Sequence, residues 1–560
     1  MTPRTALWVA LTLSTIACAE DPEVTATDTS GSDPQTGSTT SEASTTTGVT
    51  GDTDMLLTSS SASSGSDPTL LSRTVEAMGG ETAILDLRSL RYSLEGRVDA
   101  HSETSDPNVG QPRLQHGIAA EVSYDIDDEM LRYEYVRNLE IVGTVVTQSE
   151  VFADDRGTFL GADIVGVPAG VMTADRVAST LRQQQWLTPA TLIADVLQGT
   201  RGWHGDGSTR FDGVDVDVLR VDDEVSPIDL YIGMDGTLLG LRVMENDMLL
   251  RDVETTVRYE DWRDVAQGPR VPYDVTIAVD GYPVREETRA DIEANVDFEA
   301  ATFAEAQALA GPIDAALFDL GTRTPHGYQM IPARISDGRP SFLMPEPLAP
   351  GVTVLRGTFH NTIVVEQEAG LVVIEAGGYP ERSAALLAWV EATYPDMDIT
   401  TLAVTHHHYD VVAGVRGALA SGATLLASAR AQEFWARVLG AESTIVPDAF
   451  AQLERTAQVQ WVPDGASTML PDRTHPIQAH HVVARHAEDS LIYWLPAQDL
   501  VVVTDLYSPG FPFITEETIH GAQDFNTLLL ELEIPETTRI VTGVGFGTPT
   551  VAEFREEFNL

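Results

Sequence analysis

Apolar and polar positions change period several times along the 560-residue chain. After Asp67-Pro68, read as N-cap and first helical residue, Leu71, Val75 and Met78 recur at helical spacing until Gly79-Gly80 ends the turn. Strand periods follow. Val214-Asp215-Val216-Asp217-Val218 alternates as a sheet with one wet face does, and Val271 to Val279 reads as another strand. Ile228 to Ile232 and Leu238 to Val243 flank Gly233-Met234-Asp235-Gly236, a hairpin signal. One longer helix is predicted over Val177 to Leu197. The pattern places a mainly antiparallel β domain over 67–305, and a connection over 306–350 that is Pro-rich from Arg339-Pro340 to Pro350.

From 351 onward strands and helices alternate. Thr362 to Val365 and Leu371 to Ile374 read as strands, and Ser383 to Thr393 as a helix with Leu386, Leu387 and Val390 on one face. Leu402 to Val404 is a strand, Val415 to Leu419 a helix, Thr424 to Ala427 a strand and Ala431 to Leu439 a helix. Such alternation predicts an α/β region over 351–560 whose strand-end loops carry chemistry, so the whole chain is of mixed α+β and α/β class.

The N-terminus changes the picture of location. Arg4 precedes an apolar run from Ala6 to Ala17 that is shorter than the ~20 residues of a membrane-spanning helix. Residues 1–18 therefore read as an export signal. Cys18, the single cysteine of the chain, follows Thr15-Ile16-Ala17 as in a bacterial lipobox, with Thr15 in place of the usual leucine. The expectation is lipid attachment at Cys18, with simple secretion as the alternative. Residues 19–66, rich in Ser, Thr, Gly and Asp, cannot bury enough surface to offset their ordering entropy and read as a flexible tether. An exported protein of the bacterial cell envelope, touching the membrane through its lipid alone, is the implied setting.

The formal net charge of −51, with no basic block, would repel a phosphate backbone, so nucleic acid is excluded as a partner. A small-molecule substrate is the expectation that is left. With no cysteine beyond Cys18, any metal must be held by His, Asp or Glu. Thr405-His406-His407-His408-Tyr409-Asp410 ends the strand Leu402 to Val404. On an extended backbone alternate side chains share a face, so His406, His408 and Asp410 are predicted to converge. His407 is predicted to point away, and His480 and His481 to be structural.

Residues 351–560 resemble the metallo-β-lactamase fold superfamily, an αββα sandwich with its metal site at one edge. The landmarks occur in order: Ile374-Glu375-Ala376-Gly377, where the family has aspartate; His406, His408 and Asp410; His486 before an apolar strand; Asp505 after Val501-Val502-Val503-Thr504; and Thr542-Gly543-Val544-Gly545. The resemblance implies that His406, His408 and His486 hold one zinc, with Asp505 supporting it and Asp410 steering a water as catalytic residue. The family's second metal uses histidines where this chain has Val411 and Val544. A valine has no lone pair to donate, so one metal or none is expected. The implied activity is hydrolysis of an ester, thioester or amide-type bond. A non-catalytic envelope binding protein with a vestigial site is the alternative, and an oxidative enzyme with a single iron is a third reading. The first domain resembles the curved-sheet domains of bacterial lipoprotein carriers, and a structural or substrate-gating role is the reading preferred for it.

Overall fold

The structure, a computed structural model, describes residues 68–100, 103–108, 113–139, 144–153, 156–161, 169–172, 174–304, 343–357, 360–453, 456–510 and 514–560. The export signal, Cys18, the tether, the Asp67 cap and most of the 306–350 connection lie outside these residues.

The first domain is built on one antiparallel meander. Its first half comprises β1 (Ser89–Ala100), β2 (Arg113–Asp125), β3 (Met130–Leu139), β4 (Thr144–Ala153), β5 (Arg156–Leu160) and β6 (Ala169–Met172). The second half comprises β7 (Trp203–Phe211), β8 (Val214–Val221), β9 (Ile228–Ile232), β10 (Leu238–Asp247), β11 (Arg251–Asp264), β12 (Arg270–Val279) and β13 (Tyr282–Ala294). Pairing of β1 with β13, Leu90 opposite Ala294 through Val98 opposite Arg285, fuses the halves into a 13-stranded sheet. Alternation decides the faces: Val253, Thr255, Val257 and Tyr259 of β11 are buried, and the residues between them are less so. The Gly233–Gly236 turn joins β9 to β10, with Gly236 at φ 88°.

The helix expected over Val177 to Leu197 is two helices, Ala174–Leu187 and Pro189–Gln198. Pro189 disfavours a helical conformation at the residue before it, and Thr188 stands at φ −128°, ψ 66°. Pro189 then starts the second helix, where its missing N–H costs nothing.

The second domain is a sandwich. One sheet runs β14 (Met344–Ala349), β15 (Val352–Arg356), β16 (Asn361–Gln367), β17 (Gly370–Ile374), β18 (Ile399–Ala403), β19 (Thr424–Ser428), β20 (Val459–Val462), parallel from β17 onward. The other runs β21 (Ser467–Leu470), β22 (Ile477–His481), β23 (Leu491–Leu495), β24 (Leu500–Val503), β25 (Arg539–Thr542). Inward residues such as Ile363, Val365, Val372 and Ile374 meet Tyr493, Leu495, Val502 and Val541 in a common core. Outward residues of the first sheet, among them Val364, Leu371 and Val373, pack in the cluster that holds Leu386 and Val390 of helix Pro380–Thr393. Ile492, Val501, Val503 and Ile540 pack with helices Glu516–Glu531 and Val551–Phe558. Helix, sheet, sheet, helix is therefore the layer order.

Candidate metal centre

Four strand ends of the sandwich converge. Glu375 follows β17, His406 follows β18, Asp505 follows β24, and Gly543 and Val544 follow β25. β17 and β18 run parallel, as do β24 and β25, so each pair presents its carboxyl ends on one side. Open α/β sheets bind ligands at such ends. Leu491 N donates to Thr405 O at 2.7 Å, stitching the two sheets beside the histidines. Glu375 and Asp505 both adopt the left-handed region, at φ 68° and 59°, a conformation uncommon outside glycine and enriched at functional sites.

His406, His408, His486 and Asp505 each bring one ligand atom within 4.8 Å of all the others, the one such group among the described residues. The Nε2 atoms of His406 and His486 are buried without a well-formed hydrogen bond, and Asp505 Oδ2 lies 3.3 Å and 3.6 Å from them. Two imidazole nitrogens and a carboxylate facing one buried point are a donor set that suits a borderline metal.

The far side of each ring also has a partner. Thr405 Oγ1 lies 3.0 Å from His406 Nδ1, and Glu517 Oε1 lies 3.1 Å from His486 Nδ1. Thr104 O, from the connection between β1 and β2, lies 3.1 Å from His408 Nε2. Outer partners of this kind hold one nitrogen as N–H and leave the other for a metal.

Electrostatics follow from the same contacts. Burial lowers the His408 pKa well below the usual imidazole range, and the neighbouring imidazoles lower it further. Burial opposes a charged His486 as well, but the hydrogen-bonded carboxylates of Asp505 and Glu517 outweigh it and push that group up to about 10. Asp505, though buried, is held well below the usual carboxylate range by His406 and His486. Burial pushes Glu375 up to about 8, against bonds from Thr405 and Thr504.

Residues 355–543 match the family profile of the metallo-beta-lactamase superfamily. This part of the chain is a metallo-beta-lactamase superfamily domain. Similar solved structures include a metallo-beta-lactamase from Pontibacter korlensis, 14% identical, covering 39% of this chain and 98% of that one at a TM-score of 0.31. Another is the DIM-1 metallo-beta-lactamase, 13% identical, covering 39% and 96% at a TM-score of 0.29. A motif mutant of a Cronobacter sakazakii metallo-beta-lactamase is 18% identical and covers 36% and 80% at a TM-score of 0.26. No curated protein matches the chain.

The metallo-beta-lactamase domain departs from the sequence expectation at Asp410. The extended backbone ends at His408, and Asp410 lies in the short helix Tyr409–Val412. It is outside the four-residue group, and its Oδ2 lies 3.0 Å from His360 Nε2. His360, at the start of β16, pairs in an isolated bridge with Val544. Sequence reasoning missed it, because it lies 50 residues from Asp410 and nothing local in Phe359-His360-Asn361 marks it. Val411 and Val544, at the positions of the second-metal histidines, are buried at 1% and 3% exposure.

His407 turns from the ligand group, with Nδ1 2.7 Å from Asp489 Oδ1. His481 spans the edge of its sheet: Nδ1 accepts from Gly465 N at 2.8 Å, and Nε2 lies 2.9 Å from Glu488 O. His480 is buried and its pKa is lowered by that burial.

Proposed function

We propose that the metallo-beta-lactamase domain is a hydrolase using one zinc ion held by His406, His408, His486 and Asp505, acting on an ester, thioester or amide-type bond of a small molecule. The observation that carries this reading is the histidine triplet itself. Each ring faces a common point with one nitrogen and an outer partner with the other. Bound zinc supplies Lewis acidity and makes a water acidic enough to furnish hydroxide near neutral pH.

The protein residues then have separate tasks. His406, His408 and His486 fix the position of the reacting centre, and Asp505 adds its negative charge there. Asp410, tied to His360, serves as the carboxylate that orients the water or takes its proton. Val411 and Val544, both buried, have no lone pair to offer a second ion, which favours a site for one.

Those two valines also favour the rival reading, a binding protein with a vestigial site. Elemental analysis of protein purified without chelator separates the two. About one equivalent of zinc, lost in His406→Ala, is expected. Less than about a tenth of an equivalent, unchanged by that substitution, would remove the hydrolase reading, and iron in place of zinc would redirect it to oxidative chemistry.

A further inference from the structure

We propose that the segment Glu103–Asn108 of the N-terminal β domain is a positioning element of the metal centre, so that the first domain sets the affinity of the second for its metal. The inference rests on the metal reading above and extends it to a part of the chain outside the metallo-beta-lactamase domain.

Four contacts seat the segment on that domain, one of them Thr104 Oγ1 at 3.5 Å from His407 Nε2. Thr104 O accepts from His408 Nε2 at 3.1 Å, Ser105 O accepts from Glu488 N at 2.7 Å, and Asn108 Nδ2 donates to Arg430 O at 2.7 Å. Within the segment Thr104 Oγ1 donates to Asp106 O at 2.7 Å and Asn108 N donates to Asp106 Oδ1 at 3.0 Å, which fixes its turn. The receiving residues flank the site: Arg430 follows β19, and Glu488 lies two residues after His486.

The chemistry of the contact is directional. A backbone carbonyl only accepts, so the nitrogen of His408 that faces Thr104 must carry the proton, and Nδ1 is left with the lone pair. Of the three ligand histidines, His406 and His486 find their outer partners, Thr405 and Glu517, inside the metallo-beta-lactamase domain. His408 alone relies on the first domain. Losing an outer partner of a ligand histidine costs roughly 10–100-fold in metal affinity. By linkage, metal binding must tighten the segment's seat by the same factor.

The test uses the full-length chain, stripped of metal and titrated with zinc against a competing chelator. Replacing Glu103–Asn108 by glycines of equal number is expected to weaken zinc binding by roughly 10–100-fold with unchanged stoichiometry. Gly440→Ala, where an added Cβ would meet nothing within 4 Å, is the control and is expected to bind as the native chain does. In nitrogen-labelled histidine spectra, native His408 should be the Nε2–H tautomer, and the glycine variant should show a mixture. Hydrogen exchange at the Glu488 amide, whose acceptor is Ser105 O, should slow when zinc is added to the native chain; this arm stands if the glycine variant fails to fold. Zinc affinity within twofold of native together with an unchanged tautomer would overturn the proposal. If the native chain takes up no zinc, the metal reading falls, and the His408 tautomer still decides the positioning claim.

Discussion

His486 stands between two carboxylates, Asp505 and Glu517, and the metal-free fold holds its proton up to about pH 10. A metal needs the neutral ring. Zinc uptake near neutral pH is therefore expected to release one proton from His486, and affinity should rise about tenfold per pH unit below 10. Calorimetry in buffers of different ionisation enthalpy measures the proton count; a count of zero at pH 7 would contradict it. The same proton works on stability with the opposite sign. A group raised above its ordinary value stabilises the fold fully below about pH 6.5, and that contribution disappears as pH rises through about 10. Metal-free protein should thus lose stability from neutral to alkaline pH while the zinc form does not. At this scale the ligand histidines were legible because two of them sit one residue apart and the third precedes an apolar strand. The Asp410–His360 pair was not, since it joins residues distant in sequence, and Thr104 acts through a carbonyl that every residue possesses.

At the level of elements, the helix carrying Asp410 is held by a close backbone approach. Gly414, just beyond it, accepts a 2.6 Å bond on its carbonyl from Ser383 Oγ and donates to Gly377 O at 3.1 Å. A Cβ at Gly414 would lie 2.2 Å from Ser383 Oγ and 2.9 Å from the carbonyl oxygens of Gly377 and Tyr379. Backbone oxygens cannot step aside as a side chain can. Gly414→Ala is therefore expected to destabilise the domain by about 1–3 kcal/mol. Gly440, at a helix end where an added Cβ would meet nothing within 4 Å, is the control: Gly440→Ala should be neutral or slightly stabilising in the same urea titration. Equal losses for both would show that the tight approach is not what matters. The apolar strands β16 to β19 were legible for the reason their cores are dry, runs of Val, Ile and Leu between turns. β13 was hidden, because Arg285, Glu287 and Arg289 point inward and pair with one another, and a hydrophobic period cannot register buried charge. The helix break at Thr188 was legible in principle from Pro189 alone, yet the apolar positions on either side keep helical spacing across it.

For the molecule as a whole, the two domains meet at a second place besides the metal centre, and that junction decides how the chain unfolds. The turn between β10 and β11 carries Arg251, whose Nη2 donates to Val446 O at 2.8 Å and whose Nε lies 3.6 Å from Asp448. Next to it, Asp252 N donates to Glu442 O at 3.1 Å, and its carboxylate accepts from Thr444 N at 2.7 Å and Ile445 N at 3.2 Å. Arg251 is 4% exposed, so its own bonds are made away from water. Sequence could place the domains but not this junction, because its bonds run largely to backbone atoms of a loop with no pattern of its own. Interfaces between domains default to independent motion unless such contacts are extensive. With the turn at one end and Glu103–Asn108 at the other, the native chain is expected to unfold in one calorimetric transition. Truncating Arg251 does not strand Asp448, which keeps Arg416 at 2.7 Å, so the double variant R251A/D252A removes the side-chain bonds of the junction without leaving a buried charge unpaired. It should split the single transition into two. Zinc should then raise the midpoint of only the transition that belongs to the metallo-beta-lactamase domain. Two separate transitions in the native chain, or a single one in the variant, would show that the domains do not depend on this contact.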